Sequence, residues 1–288
     1  MKIKEVVCAL ERFAPLPLQD WFDNAGLQIG LQDVEVTGVL LCLDVTEAVI
    51  DEAITLGCNF IISHHPFLFK GYKSITGKDY IERCIIKAIK NEITIYSSHT
   101  NLDNASGGVN FKIAEKIGLK NVQILAPKED NLLKLVTYAP STHVDNVRNA
   151  LFIAGCGNIG NYDSCSYNSV EKGTFRAKEG ATPFCGTIGE LHQGVEVKIE
   201  TILPSFNCGG AGAFLLPQAI RSKADVFITG EMKYHDYFGY EANILIAEIG
   251  HYESERYNSE VIQFAILDLF TNHWIHISKT NINPIKYL

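Results

Sequence analysis

The segment "VTGVLLCLDVTEAVIDEAITLGCNFIISHH", residues 36–65, predicts the fold class of this chain. An apolar run rich in β-branched residues is followed by a stretch with helical spacing and then by a second apolar run. Thr46 is suited to cap the N-terminus of the helix and Gly57 to end it. Continuous apolar runs on both sides of a helix are typical of parallel strands buried on both faces. The segment therefore predicts a βαβ unit of an α/β domain.

The same alternation of helix and strand continues in two other parts of the chain. Strands are predicted at 93–100, 225–231, 243–250 and 274–279, and helices at 80–92, 107–119, 211–224 and 259–270. Between these parts, residues 131–205 have a different texture, with a Gly- and Ser-rich stretch at 156–194 and predicted strands at 132–140 and 195–204 around a helix at 142–155. This middle part is interpreted as a separate β-α-β-β module that interrupts two α/β parts.

Composition limits the function classes. Hydrophobic residues make up 47% and charged residues 20% of the 288 residues, which is a globular composition with material for a core. The net charge of −8 disfavours non-specific binding to a nucleic-acid backbone. Glu5 and Glu11 interrupt the N-terminal stretch, which therefore does not resemble a signal peptide. No apolar run reaches the roughly 18 residues of a membrane helix.

The eight cysteines form no C-x-x-C pair, and several lie within apolar runs. This usage indicates reduced, buried thiols in a cytoplasmic protein and disfavours a zinc site built from cysteine.

Histidines stand where two predicted strands end. His64 and His65 close the second strand of the βαβ unit, and His99 closes the next strand along the chain. In open α/β sheets, ligands bind at the carboxyl ends of the strands. Adjacent side chains on a strand point to opposite faces, so the twin histidines converge only where the strand ends. Taken alone, the pair is equally well explained as two solvated or packed residues.

Three further clusters follow predicted strands. Asp103 precedes a Gly-rich helix start, where an aspartate is often only a cap or turn residue. His251 and Glu255 lie four residues apart and share one helix face, which suits either an ion pair or a common metal. His235 follows a later strand within "GEMKYHDYF". Such imidazoles and carboxylates together suit divalent Zn, Fe, Mn or Co, and the twin histidines favour two neighbouring ions over one.

These segments resemble a known family. "WFDNAGLQIG", "SHHPFLF", "SHTNLDNASGGVN", "DVFITGEMKYHD" and "AEIGHYESE" are similar, in order, to signature segments of the NGG-one-interacting-factor-three-like family, which is often labelled GTP cyclohydrolase 1 type 2 homolog. The resemblance covers residues 1–127 and 207–288. It implies a toroidal homohexamer with two divalent metal ions in each subunit.

The resemblance also implies roles for individual residues. Its metal ligands are His64, His65, Asp103, His251 and Glu255. Glu255 is expected to bridge both ions, with His64 and His251 on one ion and His65 and Asp103 on the other. His99 and His235 match family positions outside the ligand set, and the resemblance implies that they orient ligands or transfer protons. The other histidines, His143, His192, His273 and His276, are interpreted as surface or packing residues.

The expected fold is α/β, with two α/β domains that form one core and hold the metal site in the cleft between them. The predicted boundaries are 1–130, 131–205 and 206–288, and the middle part resembles a PII- or CutA-like (ferredoxin-like α+β) insert. The chain departs from that pattern at Phe206–Asn207, where a strand of the insert runs directly into the next domain. Compact domains usually place several residues there, which predicts an intact protein longer than 288 residues.

Two hypotheses for function come from different classes. The first is a two-metal hydrolase that acts on a nucleotide or another small anionic, phosphorylated substrate, with GTP ring opening implied by the family label. The residues do not choose between carbon and phosphorus as the electrophile. The second is a non-enzymatic metal-binding scaffold or trafficking adaptor, which a site closed by protein ligands would favour. Neither hypothesis involves nucleic acid or a membrane.

Overall fold

The structure is a computed structural model that describes residues 1–125, 132–153, 156–159, 161–204, 212–240, 243–270, 274–280 and 282–285. The chain divides into two compact units. The first comprises Met1–Ala126 and Phe206–Leu288, and the second comprises Pro127–Ser205. The predicted domain boundaries fall in or beside segments that the structure does not describe, so the division at 130 and 205 stays a prediction.

The elements found in the described residues have a mixed α/β character. The α-helices are α1 (Ile3–Phe13), α2 (Glu47–Leu56), α3 (Tyr80–Lys90), α4 (Thr100–Asp103), α5 (Val109–Lys116), α6 (Val144–Ile153), α7 (Leu216–Arg221), α8 (His251–Glu255) and α9 (Asn258–Ile266). The strands are β1 (Gly26–Ile29), β2 (Val39–Cys42), β3 (Phe60–Ser63), β4 (Thr94–Ser97), β5 (Leu132–Pro140), β6 (Ser166–Arg176), β7 (Leu191–Pro204), β8 (Val226–Thr229), β9 (Leu245–Glu248) and β10 (Ile275–Ile277). Short 3-10 turns span Leu16–Leu18, Ser141–His143, Ala213–Leu215, Tyr234–Tyr237 and Leu267–Leu269.

A five-stranded sheet forms the centre of the first unit, in the order β1-β4-β3-β2-β10. β10, β2, β3 and β4 are parallel, and β1 pairs antiparallel with β4 at the edge. Every residue of β2, β3 and β4 is buried, as predicted for strands that are covered on both faces. The predicted βαβ unit is therefore confirmed as β2-α2-β3.

Alternate residues of these strands enter two separate cores. On one face, Leu41 and Phe60 pack with α1 and α9. On the other face, Leu40 and Ile61 pack with α2 and α3. This three-layer arrangement fixes the carboxyl ends of β2, β3 and β4 along one edge of the sheet, because parallel strands end on the same side.

The predicted signals for the start and end of α2 are confirmed. Thr46 is the N-cap, and its side-chain oxygen accepts a hydrogen bond from the Val49 N–H. Gly57 adopts the left-handed conformation at the end of the helix, with φ of 69°. The next helix, α3, begins in the same manner, because the Asp79 carboxylate accepts from the Glu82 N–H at 2.8 Å.

Asp79→Ala is expected to lower the free energy of unfolding by about 1 kcal/mol, since it leaves the first turn of α3 without its acceptor. Asp79→Ser is the matched control, because it keeps a side-chain oxygen at the cap. Urea denaturation of both variants measures the difference. Equal losses in the two variants would contradict the capping role.

The remainder of the first unit contains a second, two-stranded parallel sheet, β8-β9. Leu216 and Ala219 of α7 pack against Phe227 of β8. Ile249 donates its N–H to Thr229 O just beyond β9, and α8 begins two residues later, at His251. The small sheet thus leads directly into the helix that carries two of the predicted metal ligands.

The second unit is an antiparallel sheet, β5-β7-β6, with α6 against one face. Ala139, Val197 and Ile199 form its buried core. The sequence prediction located β5, α6 and most of β7, but it did not locate β6 within the Gly- and Ser-rich stretch. The likeness of this unit to a PII- or CutA-like module stays a prediction.

Two further predictions concern residues outside the described ones: the junction at Phe206–Asn207 and the assignment of His273 as a surface or packing residue. Among the described residues, no helix combines the length and the apolar character that crossing a bilayer requires.

Candidate metal centre

The twin histidines extend the parallel pairing of β2 and β3 by two residues. The His64 N–H donates to Cys42 O at 3.1 Å, and the His65 N–H donates to Leu43 O at 3.0 Å. The carbonyl oxygen of His65 accepts hydrogen bonds from the hydroxyls of Ser63 and Ser97. The backbone beneath both imidazoles is therefore fixed by the sheet and by side chains of two neighbouring strands.

The imidazole of His64 is fully buried. Its Nδ1 lies 2.9 Å from the carbonyl oxygen of Ser98, which can only accept, so Nδ1 carries the proton and Nε2 presents a lone pair. Burial lowers the pKa of His64 to about 4 and keeps the ring neutral at pH 7. Nε2 has no hydrogen-bond partner among the described residues. A neutral imidazole held in this orientation has the form of a metal ligand.

The imidazole of His65 lies between two carboxylates. Its Nδ1 is 2.7 Å from Asp44 Oδ1, and its Nε2 is 2.9 Å from Glu255 Oε2. Burial on its own would lower the pKa of His65, but the hydrogen bonds to Asp44 and Glu255 raise it to about 10. Asp44 thus orients His65 in the way that carboxylates commonly orient metal-binding imidazoles.

Helix α8 brings Glu255 and His251 to the twin histidines. His251 Nε2 lies 3.0 Å from Glu255 Oε2 and 3.3 Å from His65 Nε2. The other carboxylate oxygen, Glu255 Oε1, lies 3.8 Å from His64 Nε2. Burial would raise the pKa of Glu255, but hydrogen bonding to His251 and His65 holds it well below its usual range. Glu255 is therefore the carboxylate that all three imidazoles share.

Asp103 closes the site from the end of α4. Its Oδ1 lies 3.9 Å from His64 Nε2, and the residue is buried. Burial, and secondly the nearby charge of Glu255, raise the pKa of Asp103 well above its ordinary value. Two carboxylates in one buried site repel each other, so the ionised form of Asp103 is disfavoured beside Glu255 unless a positive charge lies between them.

The structure thus brings all five sequence-predicted ligands together. The ligand atoms of His65, His251 and Glu255 lie within 4.8 Å of one another. The distances pair His65 with His251 on Oε2 of Glu255, and they place His64 near Asp103 and Oε1. This pairing differs from the division that the family resemblance implies, in which His64 shares an ion with His251.

His99 lies beside the same cluster. Its ring centroid is 5.1 Å from that of His64 and 5.5 Å from that of His65. Its Nδ1 lies 2.8 Å from Asp23 Oδ1, and the other oxygen of Asp23 accepts from the backbone N–H and the hydroxyl of Thr100. The Asp23 side chain is fully buried, so it holds His99 with Nε2 available to the centre.

His235 has a different environment. It is exposed on the 3-10 turn Tyr234–Tyr237, and its described ring contacts are with Tyr234 and Phe238. Of the histidines interpreted as surface or packing residues, His143 is exposed and His192 packs against the ring of Phe175. Within the described part of the first unit, the His235 imidazole makes no ring contact with the predicted ligands.

Two residues that position the site, Asp44 and Asp23, were not predicted from the sequence. Asp44 is the last polar residue of the first strand segment and orients His65. Asp23 lies in the motif "WFDNAGLQIG" and orients His99. The available signal for Asp44 was an acidic side chain at the carboxyl end of a buried strand, beside the strand that ends in the twin histidines.

Comparisons with known proteins give a consistent result. A family model described as Duf34/NIF3 (NGG1p interacting factor 3) matches residues 1–284. A GTP cyclohydrolase 1 type 2 homolog of Halalkalibacterium halodurans is 47% identical over 199 residues, which are 69% of this chain and 54% of that relative. The chain therefore spans about half the length of this curated relative.

Two further similarities extend over the whole chain. A Staphylococcus aureus GTP cyclohydrolase 1 type 2 homolog is 29% identical over 368 aligned positions, which cover 100% of both chains. Those positions exceed the 288 residues of this chain by 80, so the relative contains sequence that this chain lacks. The crystal structure of a Bacillus cereus protein related to NIF3 matches with a TM-score of 0.72 and 31% identity, covering 100% of this chain and 99% of that chain.

Proposed function

The chain belongs to the Duf34/NIF3 (NGG1p interacting factor 3) family, and on that premise we propose that it is a dinuclear metal-dependent hydrolase. Its ligands in this proposal are those that the sequence predicted: His64, His65, Asp103, His251 and Glu255. We also propose that the protein assembles as a homohexamer, as the family resemblance implies.

One observation carries the metal proposal: the unpartnered Nε2 of His64. This atom is buried, holds a free lone pair, and lies 3.9 Å from Asp103 and 3.8 Å from Glu255. Both distances are too long for hydrogen bonds. They are closer to the separation of two ligands of one ion, about 3.4 Å for a tetrahedral ion with bonds of about 2.1 Å. A cation between these atoms would satisfy a buried group that is otherwise costly.

The donor set fits two divalent ions of borderline softness. Three imidazoles and two carboxylates suit Zn, Fe, Mn or Co. Glu255 directs one oxygen toward His65 and His251 and the other toward His64, which supports a bridging role for this carboxylate. Because metal ligands must be deprotonated, the binding of ions would be accompanied by the release of protons from the cluster.

The chemistry divides between the ions and the protein. Two bound divalent ions lower the pKa of water and polarise an electrophile, which is the basis of metal-assisted hydrolysis. Asp44 and the Ser98 carbonyl hold His65 and His64 in the orientation that a ligand needs. His99, oriented by Asp23, is the side chain suited to transfer a proton to or from a substrate atom next to the centre.

We propose a nucleotide or another small phosphorylated molecule as the substrate class. The relatives named GTP cyclohydrolase 1 type 2 homolog support this choice. The Gly-rich start of α5 does not add to it. The Gly108 N–H donates to Ala105 O at 3.0 Å and is therefore engaged within the loop rather than free for a phosphate.

The proposal is tested by an activity screen on protein reconstituted separately with Zn, Fe, Mn and Co. The substrates are nucleotides, phosphomonoesters and cyclic phosphodiesters. Turnover that depends on the metal and is lost in Glu255→Gln is the expected result. Two tightly bound ions without turnover in any of the three classes would contradict hydrolysis and favour a metal-binding scaffold.

Deleting residues 131–205 and closing the gap with a short Gly-Ser linker is expected to leave metal binding intact. All five proposed ligands belong to the first unit, and the second unit has its own core. Elemental analysis of the purified deletion variant gives the metal content, and circular dichroism reports whether it is folded. Loss of both ions from a folded deletion variant would show the expectation to be wrong.

A further inference from the structure

A cavity of about 760 Å³ lies beside the proposed metal centre, within the first unit. Its walls come from the segment around β1 and from the loop that follows the twin histidines, and its floor includes Ile85 and Ile89 of α3. Sites for small molecules usually have volumes of about 300–1,000 Å³ and apolar walls with a few polar groups. The size and lining of this cavity fall within that range.

Hydrogen bonds between the two walls keep the cavity formed. Asn24 Nδ2 donates to Leu68 O at 2.6 Å, and the Leu68 N–H donates to Gln28 Oε1 at 3.1 Å. Gln28 Nε2 donates in turn to Asn24 O at 2.7 Å. Because these amides are engaged with each other and with the backbone, the cavity is preorganised and a ligand would not need to open it.

The side chains that line the cavity have a common chemical character. Phe22, Phe69 and Tyr72 supply three aromatic rings, and the two phenylalanines are 50% and 48% exposed. Lys70 is exposed and forms no ion pair with any residue that the structure describes. Aromatic faces bind flat rings by stacking, and an unpaired ammonium group attracts an anion.

The cavity adjoins the metal centre through two shared side chains. Asp23 lines the cavity and accepts the hydrogen bond from His99 Nδ1. The Phe69 ring lies edge-on to the His99 ring at 6.5 Å between centroids. His99 in turn contacts the rings of His64 and His65. A small molecule bound in the cavity would thus be separated from the proposed metal-binding residues by one imidazole, that of His99.

From this arrangement we infer that the cavity binds the aromatic ring of an anionic substrate, with Lys70 pairing its acid group and its reacting atom directed past His99 toward the metal centre. Phe69 is a specificity-determining residue in this assignment, because it forms both a wall of the cavity and its boundary with His99. The catalytic use of the cavity rests on the proposed function, whereas ring binding itself does not.

Three probes separate the ring from the acid group: guanosine monophosphate, guanosine and ribose 5-phosphate. We expect isothermal titration calorimetry on protein incubated with divalent metal to show guanosine monophosphate binding at least tenfold more tightly than ribose 5-phosphate. Phe69→Ala should weaken the binding of guanosine monophosphate and of guanosine about tenfold each, since stacking on one ring is worth about 1–3 kcal/mol. Lys70→Gln should weaken the binding of guanosine monophosphate about fivefold and leave the affinity for guanosine unchanged.

Phe264→Ala is the matched control, because Phe264 is 74% exposed in the same unit and does not line the cavity. It should leave all three affinities unchanged. Equal binding of guanosine monophosphate and ribose 5-phosphate, no binding of either, or full affinity in Phe69→Ala would each overturn the assignment. Elemental analysis of the same samples distinguishes a failure of the cavity assignment from a failure of the proposed function. Protein that prefers the aromatic probe but holds no metal refutes the proposed function and leaves the cavity standing.

Discussion

Glu255→Gln is expected to reduce the metal content of the protein from the two ions per chain that we propose to almost none. Its carboxylate oxygens reach both halves of the cluster, at 2.9 Å from His65 Nε2 on one side and 3.8 Å from His64 Nε2 on the other. The amide keeps the shape of the side chain but removes the negative charge that offsets two divalent cations in a buried site. The binding of both ions should therefore weaken together.

Two other variants make this result specific. His64→Ala should release mainly one ion, because the distances place His64 on the Asp103 side of the cluster only. His143→Ala, in the second unit, should retain both ions. Elemental analysis of the purified variants gives the stoichiometry, and circular dichroism confirms folding. The dinuclear assignment fails if Glu255→Gln still holds two ions with wild-type affinity.

The sequence was sufficient to predict the part of the fold that carries the histidines. Strands β2, β3 and β4 lie in apolar runs separated by helices, and the first of these helices, α2, has clear signals for its start at Thr46 and its end at Gly57. Such local signals locate strand ends, and strand ends in a parallel sheet lie together. This is why His64, His65 and His99 could be placed at one edge before any contact was known.

Other elements depend on contacts that a local pattern does not contain. β1 is a four-residue edge strand with only two buried residues, and its antiparallel pairing with β4 has an irregularity between Leu27 and Ile29. β6 is exposed along most of its length, so it lacks the apolar alternation that identifies a strand. β1 is held by its pairing with β4, which is distant in sequence, and β6 is held by its pairing with β7 rather than by an apolar face of its own.

The residues that orient the imidazoles of the site were likewise not predictable from a local sequence pattern. Asp44 and Asp23 lie 21 and 76 residues from the imidazoles that they orient. An isolated acidic residue after a strand has several ordinary explanations, and only the spatial neighbour selects among them. The role of His235, which the family resemblance implied, stays a prediction, and its described ring contacts are with Tyr234 and Phe238.

A close backbone approach at Gly108 holds the segment that carries Asp103. A Cβ atom added to Gly108 would lie 2.0 Å from the carbonyl oxygen of Leu102, the residue before this ligand. The neighbouring segment cannot easily yield. Asn101 Nδ2 donates to Ala14 O and Asn104 Nδ2 donates to Leu18 O, each at 2.7 Å. The glycine is therefore required by packing of main chain against main chain.

Gly108→Ala is expected to destabilise the protein by about 3 kcal/mol, the upper range for forcing an extra carbon into a packed site. For a unit of this size, that corresponds to a decrease in melting temperature of about 6–12 °C. The shift of Leu102 should also displace Asp103 and weaken metal binding, so that adding metal restores less stability to this variant than to the wild type. Gly71→Ala is the control, because a Cβ there meets no atom within 4 Å. Thermal melting with and without added metal measures both effects. The expectation is contradicted if Gly108→Ala has the melting temperature of the wild type and gains the same stability from metal. That result would mean that the α4 segment moves freely and that the position of Asp103 does not depend on this contact.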